Sequence, residues 1–334
     1  MAILSEKGII DRIRQQSGTK SADLLVGIGD DCAVVRRGGG LVELITTDTL
    51  IEKIHFDPAW HAPELLGRKA AAVNLSDVAA MGGRPRYCLL SLSLPVDFSE
   101  TWLDSFMSGF LARLSEHETM LIGGDTVKSV SGSAISVTVL GEAVEAALLL
   151  RSAAHPGDLV MVSGTLGDAA AGLEICRRSI CPVKDDWQEL IAAHLDPSPE
   201  TALGLILAES GMVNAMMDIS DGLATDLAHI CTESKVGAEI DAELLPISDA
   251  TRDAAKTLVG EPLSWAISGG EDYRLLFTVP VEHGEKIKRL VHDELGRELY
   301  AVGRIVAGEG VMLLDGVRRL DIAYHGYDHF NKNV

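Results

Sequence analysis

The sequence has few basic residues and no long apolar run. Its 334 residues include 29 Lys and Arg against 49 Asp and Glu, which gives a formal net charge of −20 at pH 7. Nucleic-acid binding without sequence preference needs a basic surface, so we expect no nucleic-acid partner. The longest apolar stretches, near Leu89 and over 146–150, are too short to cross a bilayer. The N-terminus has no apolar segment of signal-peptide length, so we expect no membrane association.

The sequence also lacks cysteine pairs at metal-binding or redox spacing. The cysteines are odd in number, form no Cys-x-x-Cys motif and lie mostly in apolar segments; they are Cys32, Cys88, Cys176, Cys181 and Cys231. We therefore expect neither disulfides nor a zinc site. A reducing cytoplasmic location fits this cysteine usage best.

Common nucleotide-binding motifs are absent. The segment 27–32 begins like a dinucleotide fingerprint, but it lacks the third glycine and would place two carboxylates against a pyrophosphate. There is no Gly-x-x-x-x-Gly-Lys-Ser/Thr loop and no protein-kinase catalytic loop. If the protein uses ATP, metal ions and backbone groups must hold the phosphates.

Acidic residues, in contrast, recur in short segments that end a predicted strand or lie on a predicted helix. Their apolar neighbours would hold the carboxylates in partly dry positions, where an unpaired charge is costly. Carboxylate oxygens without nitrogen or sulfur ligands suit Mg²⁺, and several such ions imply a polyphosphate ligand. For any one segment, a helix cap or a turn is the simpler explanation; together they favour a metal site. The segments are Gly29-Asp30-Asp31, Thr46-Thr47-Asp48, Asn74-Leu75-Ser76-Asp77, Gly123-Gly124-Asp125-Thr126 and, in the second half, Met217 to Gly222.

The last of these segments lies where a predicted strand meets a helix N-terminus. Backbone N–H groups and the helix dipole favour phosphate at such a place. A capping role for Ser220 or Asp221 is about equally consistent with the sequence. Asp218 is harder to explain as a cap, because it lies three residues before Asp221.

Helical and strand patterns alternate along the chain, which predicts an α/β protein. The stretch 143–156 ends in His155-Pro156-Gly157-Asp158 and interrupts the pattern, so we predict domains over 1–142 and 143–334. The predicted helices are 63–81, 99–117, 168–178, 222–232 and 282–295. The predicted strands are 41–47, 87–94, 134–141, 159–163, 212–219 and 273–279, with others near Val302 and Val311 and a turn at Asp315-Gly316.

With these residues identified, the chain resembles the thiamine-monophosphate kinases, a family of the superfamily that includes aminoimidazole ribonucleotide synthetase. The resemblance covers nearly the whole length. It depends on the segments Gly27 to Ala33, Thr47-Asp48-Thr49, His55-Phe56, Ala72 to Asp77, Ile122 to Thr126, Asp218 to Leu223, Ser268 to Tyr273 and Gly326 to Phe330.

The resemblance implies a two-domain aminoimidazole ribonucleotide synthetase-like fold of the α/β (α+β) type, with mixed sheets packed against helices, and a homodimer. The N-terminal domain would bind ATP and metal and form the dimer, and the C-terminal domain would complete the nucleotide and substrate site. The implied reaction is transfer of the γ-phosphoryl group of ATP to thiamine monophosphate, assisted by several Mg²⁺ ions. The implied metal ligands are Asp30, Thr46, Thr47, Asp48, Asp77, Asp125, Asp218 and Asp221; nucleotide contacts are Gly124, Asp125, Arg151 and Ser220; and substrate contacts are His55, Glu271 and Tyr327.

Some of these roles have simpler alternatives. The family has an aromatic residue near ATP where this chain has Ser115-Glu116-His117, so His117 either stacks in its place or has no such role. Taken by itself, the sequence around Arg151 would also suit an arginine in a surface ion pair. A lone His such as His55 is more often a polar surface residue than a binding residue. Tyr327 lies in a Tyr324, Tyr327, Phe330 series that would also pin the C-terminal tail to a core.

Two other functions also fit the sequence. One is another ATP-using member of the superfamily, of the aminoimidazole ribonucleotide or selenophosphate synthetase type. The other is a non-catalytic sensor that binds metal and a thiamine phosphate.

Overall fold

The computed structural model describes residues 5–18, 21–181 and 183–330. Two mixed β-sheets, each covered by helices, make up the described chain. The helices are α1 (Glu6–Ser17), α2 (Pro63–Ala80), α3 (Glu100–Glu116), α4 (Asp168–Arg177), α5 (Gln188–Leu195), α6 (Thr201–Ser210), α7 (Leu223–Ser234), α8 (Asp249–Leu258), α9 (Pro262–Ser268) and α10 (Gly284–Leu295). None of these described helices is both long and apolar enough to cross a bilayer.

The first sheet has six strands within the described ranges, in the order β1-β2-β3-β6-β4-β5. Neighbouring strands are antiparallel except for the parallel pair β4 and β5. One face packs on α2 and α3, and β5 lies at the edge. The strands are β1 (Leu24–Val26), β2 (Ala33–Gly38), β3 (Leu41–Ile51), β4 (Arg84–Leu94), β5 (Met120–Lys128) and β6 (Ala134–Val144).

The second sheet has seven strands in the described chain, in the order β13-β12-β9-β11-β7-β10-β8. The pair β12 and β9 is parallel and the other pairs are antiparallel. Its edge strand β8 ends at Asp218, which brings the second acidic segment to the border with the first domain. The strands are β7 (Leu159–Val162), β8 (Ala215–Asp218), β9 (Gly237–Asp241), β10 (Leu275–Val279), β11 (Tyr300–Val306), β12 (Val311–Asp315) and β13 (Arg318–Asp321).

Helix α2 connects the two halves of the molecule. Pro63 occupies its first turn, where the missing N–H costs nothing, and the chain leaves the helix at Gly82 with a φ of 68°. The helix packs against α3, β3 and β6 on one side and against α6 and β8 on the other. It is therefore buried nearly all round, as its Ala-rich and weakly amphipathic sequence permits. Its polar residues Lys69, Asn74 and Ser76 are consequently buried.

The predicted elements are confirmed in type, but several boundaries and connections were wrong. Strand β3 continues to Ile51, so Thr46-Thr47-Asp48 lies within the strand and does not end it. The Gly123 to Thr126 segment forms part of the unpredicted strand β5. The predicted strand 212–219 is shortened to Ala215–Asp218, and helix α10 starts two residues later than predicted, after a 3₁₀ turn over Val281–His283. Strand β6 runs to Val144, two residues past the predicted domain boundary, and that boundary stays a prediction.

Candidate active site

A cavity of about 540 Å³ opens between the two domains. Residues from both domains form its wall. They include three predicted metal ligands and all three predicted substrate contacts: Asp48, Asp77 and Asp221, with His55, Glu271 and Tyr327. The fold thus brings together Asp48 and Tyr327, which lie 279 positions apart in the sequence.

Three carboxylates meet beside this cavity. Oxygen atoms of Asp31, Asp77 and Asp218 all lie within 4.8 Å of one another. They come from the turn before β2, from α2 and from the end of β8. Asp31 was quoted in the motif but was not among the predicted ligands, whereas its neighbour Asp30 was. The Oδ2 atom of Asp31 is buried without a hydrogen-bond partner in the described chain, as an oxygen reserved for a cation would be.

The surroundings of the acidic cluster disfavour negative charge. Burial, reinforced by the neighbouring Asp31, raises the pKa of Asp30 to about 7 and that of Asp218 to about 8. Burial and the charge of Glu6 raise the pKa of Asp221 to about 7. Asp48 is reached by solvent inside the cavity, but the protein around it raises its pKa to about 6. A cation among these oxygens would offset their repulsion and hold them ionised.

Hydrogen bonds from polar neighbours fix the carboxylates in place. Thr46 Oγ1 donates to Asp77 Oδ2 at 2.5 Å, and the backbone N–H of Asp48 donates to Asn74 Oδ1 at 3.0 Å. Burial raises the pKa of Asp77 well above its usual range, while the Thr46 hydroxyl acts in the opposite direction. Asn74 and Ser76 belong to a motif that the sequence analysis quoted, but their orienting role was not predicted.

Arg151 is a buried partner of the first acidic segment and not a surface residue. Its guanidinium contacts the Asp31 carboxylate, and its backbone N–H donates to Asp30 Oδ2 at 3.2 Å. Burial opposes the guanidinium charge, but the two carboxylates raise the pKa of Arg151 above its ordinary value. The predicted alternative of a surface ion pair is therefore wrong in its location, since only 17% of the side chain is exposed.

Three backbone N–H groups of the loop before α7 already have a partner within the chain, so they are not free for a phosphate. The N–H groups of Ser220, Asp221 and Gly222 all donate to Asp226 Oδ2, at 3.1, 3.2 and 3.1 Å. Asp226 was not singled out in the sequence, because a carboxylate in the first turn of a helix is common. It fixes the loop and leaves the side chains of Ser220 and Asp221 at the cavity wall.

The predicted substrate contacts lie in the same cavity wall as Asp48, Asp77 and Asp221. The Ile51 N–H donates to His55 Nδ1 at 2.9 Å, so the neutral ring carries its proton on Nε2. Burial and the nearby His329 lower the pKa of His55, which keeps the ring neutral near pH 7. Tyr327 is held by its backbone N–H, which donates to the Asp221 carbonyl at 2.9 Å. The ring of His329, which the sequence analysis did not assign, lies 4.9 Å from those of both His55 and Tyr327.

Thr47 and Asp125 lie on the opposite face of the first sheet from Asp48. Successive side chains of a strand alternate between faces, and Thr47 Oγ1 contacts Thr138 Oγ1 at 3.0 Å on the outer face. Asp125 belongs to the same face through its register with the neighbouring strands. The row across the sheet is Thr49, Ser136, Ser91 and Asp125.

Gly124 and His117 also lie apart from the acidic cluster. A side chain at Gly124 would place its Cβ 1.7 Å from the Leu90 carbonyl oxygen, so strand packing alone requires glycine there. His117 Nδ1 lies 2.8 Å from Thr201 Oγ1, between α3 and α6, and His117 is absent from the described wall of the cavity. Stacking of His117 on a nucleotide would require it to leave this contact.

Comparisons with known proteins agree with this arrangement. The model of the AIR synthase related protein, N-terminal domain, matches residues 29–143, and that of the C-terminal domain matches residues 155–315. Together they confirm the predicted two-domain α/β fold class.

Relatives and solved structures give a closer assignment. The thiamine-monophosphate kinase of Escherichia coli (strain K12) is 40% identical over 328 residues, which cover 96% of this chain and 95% of that protein. That of Bacillus subtilis is 38% identical over 312 residues, covering 91% and 93%. The structure of AaThiL complexed with AMPPCP and TMP superposes with a TM-score of 0.86 at 35% identity, covering 98% of this chain and 97% of that one. The chain therefore belongs to the thiamine-monophosphate kinase family.

Proposed function

We propose that this protein transfers the γ-phosphoryl group of ATP directly to thiamine monophosphate, giving thiamine diphosphate, with Mg²⁺ ions held by the acidic cluster. The supporting observation is a single cavity whose wall carries Asp48, Asp77 and Asp221 together with His55, Glu271 and Tyr327. The related AaThiL structure was solved with AMPPCP and TMP.

The donors around the cluster suit Mg²⁺, because they are oxygen atoms held at fixed positions. When bound, the metal would neutralise phosphate charge and align the two phosphate groups. The free Oδ2 of Asp31 supports adding that residue to the ligands expected from the family. We propose the ligand set Asp30, Asp31, Asp48, Asp77, Asp218 and Asp221, with Thr46 orienting Asp77.

The acceptor needs little help from a general base. A phosphate monoester has a second pKa of about 6, so it is largely ionised near pH 7. The chain's own contribution is then to align two anions and to exclude wrong acceptors. His55 would donate a hydrogen bond from Nε2 to the acceptor substrate. Tyr327 would stack on the thiazolium ring, with a gain in binding free energy of roughly 0.5–2 kcal/mol. Glu271 would accept a hydrogen bond from the aminopyrimidine.

Arg151 and Ser220 are the nucleotide contacts that the site supports best. Ser220 lies in the cavity wall, and Arg151 is fixed against Asp30 and Asp31 beside it. Arg151 supplies a permanently charged group near the phosphates. Gly124 and Asp125 reach a nucleotide only if a second chain is present.

We propose a homodimer in which the outer face of the first sheet packs against a second copy. This face exposes large apolar side chains of β4 and β5, and β5 pairs with β4 alone among the described strands. Thr47 and Asp125 lie on the same face, so a second copy would bring them to a site that they cannot reach within their own chain. The exposed side chains are Tyr87, Leu89, Met120, Ile122 and Val127.

A cytoplasmic location is also proposed. All five cysteines are free, and three of them (Cys32, Cys88 and Cys231) are buried in the cores. Free thiols persist in a reducing compartment.

The direct test is to incubate the purified protein with ATP, Mg²⁺ and thiamine monophosphate and to separate the thiamine esters by chromatography. Metal-dependent formation of thiamine diphosphate is expected. ATP hydrolysis without thiamine diphosphate would move the acceptor to another member of the superfamily. Binding of thiamine monophosphate without ATP consumption would indicate a sensor.

A further inference from the structure

Lys69 is a charged residue with no exposed surface. It lies on α2, its exposed fraction is 0%, and its Nζ is 2.7 Å from Glu271 Oε1 in the second domain. Burying an ammonium group is costly unless it is paired. The pair therefore has to form whenever the two domains pack as observed.

His194 holds the other oxygen of the same carboxylate. It lies on α5 with 2% exposure, and its Nδ1 is 2.8 Å from Glu271 Oε2. At this distance an unprotonated Nδ1 would set its lone pair against those of the carboxylate, so a neutral ring places its proton on Nδ1. Burial and the charge of Lys69 lower the pKa of His194, in agreement with a neutral ring. Each oxygen of Glu271 thus has one nitrogen atom within ion-pair distance.

The backbone of Glu271 is constrained as well. Its φ is 69°, in the left-handed region that a glutamate rarely adopts, and it follows two glycines. Its N–H donates to the Ser220 carbonyl at 2.7 Å. The side chain reaches the cavity with 22% of its surface exposed, so free lone pairs remain on the ligand side. Burial alone would raise its pKa, but Lys69 and His194 hold that pKa well below its usual range.

We propose that Lys69 and His194 are positioning residues that hold Glu271 as a fixed, ionised hydrogen-bond acceptor, through which the cavity selects acceptor substrates that carry an amino group. This inference rests on the proposed function, because it assigns the amino group to the aminopyrimidine of thiamine monophosphate. An oxygen in place of that amino group would face the carboxylate without a proton between them. The site would reject such an analogue, since a buried acceptor left without its donor costs binding free energy.

The test compares thiamine monophosphate with oxythiamine monophosphate, in which an oxygen replaces the amino group. The wild-type protein is expected to prefer the amino form on the order of 100-fold in kcat/KM. In Lys69→Met, Glu271 loses its main counter-charge and is no longer held as a fixed, ionised acceptor. The preference should fall roughly 10-fold or more, and the KM for thiamine monophosphate should rise while the KM for ATP stays within about twofold. His194→Gln should likewise lower the preference and raise the KM for thiamine monophosphate.

Two further variants separate positioning from a purely structural role. Glu271→Gln should lose the preference by itself, and adding Lys69→Met to it should change the preference less than about twofold. Arg297→Met removes one cation from the buried Glu200 carboxylate, which is absent from the described cavity wall, and should leave the preference unchanged.

A Lys69→Met variant that keeps the preference while kcat and both KM values change in proportion would overturn the proposal. If that variant does not fold, Glu271→Gln with and without Lys69→Met decides, because the double variant has no unpaired charge; a further loss of preference would count against the proposal. If the wild-type protein forms no thiamine diphosphate, the proposed function fails. Calorimetric affinities of the same variants for the two esters then decide the role of Lys69 separately.

Discussion

Ser76 Oγ donates a hydrogen bond of 2.5 Å to Asp218 Oδ2, and both side chains are buried. Ser76 lies on α2 of the first domain and Asp218 ends β8 of the second. The bond therefore joins the domains inside the acidic cluster. It favours the ionised form of Asp218, in opposition to the burial that raises its pKa to about 8. The packing of the two domains and the ionisation of Asp218, which a cation requires, therefore depend on the same contact.

Replacing Ser76 by Ala should chiefly weaken the binding of Mg²⁺, with a smaller effect on the stability of the fold. Loss of a buried hydrogen bond to a carboxylate costs about 1.5–3 kcal/mol of unfolding free energy. The Mg²⁺ concentration for half-maximal activity should rise severalfold, and saturating Mg²⁺ should restore most of kcat. Magnesium titrations of activity, with urea unfolding alongside, check both parts. An unchanged titration would show that Ser76 only packs the interface.

Asp218→Asn should abolish activity yet stabilise the metal-free protein. Removing one of three clustered carboxylates deletes a ligand, so activity should fall at least about 100-fold. The same change removes repulsion between buried charges and should raise the metal-free unfolding free energy by about 1 kcal/mol. Thermal melts in EDTA measure the second effect. Asp293→Asn, an exposed position on α10, is the matched control and should change neither quantity.

Stability of the metal-free protein should fall as pH rises. The folded pKa values of about 7 for Asp30 and Asp221 and about 8 for Asp218 exceed the unfolded value near 3.8. Such groups bind protons more tightly in the folded state, so their stabilising contribution is complete below about pH 4 and is lost as pH rises through 7 and 8. The increase in Tm caused by Mg²⁺ should therefore be larger at pH 8.5 than at pH 5.5. An equal increase at both pH values would contradict the metal-cluster assignment.

Replacing Tyr327 should weaken binding of the acceptor substrate, whereas replacing Tyr324 should only loosen the packing of the C-terminal tail. Tyr324 Oη contacts Thr232 Oγ1 at 2.7 Å and its ring packs on His229, while Tyr327 lies in the cavity wall. Tyr327→Ala should raise the KM for thiamine monophosphate about 10-fold, and Tyr327→Phe should keep it nearly unchanged. Tyr324→Ala is the control from the same tail. Equal effects of the two alanine variants on KM would mean that the tyrosines merely anchor the chain.

A mixed dimer tests whether Asp125 serves the partner's site. Asp125→Asn and Asp218→Asn should each be inactive alone. If each site combines Asp218 of one chain with the partner's Asp125, random pairing on co-expression restores about a quarter of wild-type activity. Tandem affinity tags isolate the mixed dimer, in which one of the two sites is intact. An inactive mixed dimer would place both residues in the same site or outside it.

Local sequence was enough for the type of most elements and for the identity of the chemistry. Pro63 and the glycines after Met81 bound α2, and alternating patterns identified β3, β4 and β6, because caps and periodicity are set by nearby residues. The exposed edge strand β5 was missed, since it lacks the apolar alternation of a half-buried strand. The apolar helix α6 was missed as well, since burial on several sides removes its amphipathic pattern.

Tertiary structure decided which acidic residues act together and what holds them. The motifs named Asp30 and Asp125, but packing brought the neighbouring Asp31 into the cluster and strand register turned Asp125 to the opposite face of the sheet. The pairing of Lys69 and His194 with Glu271 joins three distant segments, and no local pattern marks it. The sequence by itself determined the kind of ligand atoms and their order along the chain. Their mutual positions depend on register and domain packing, which only the folded chain fixes.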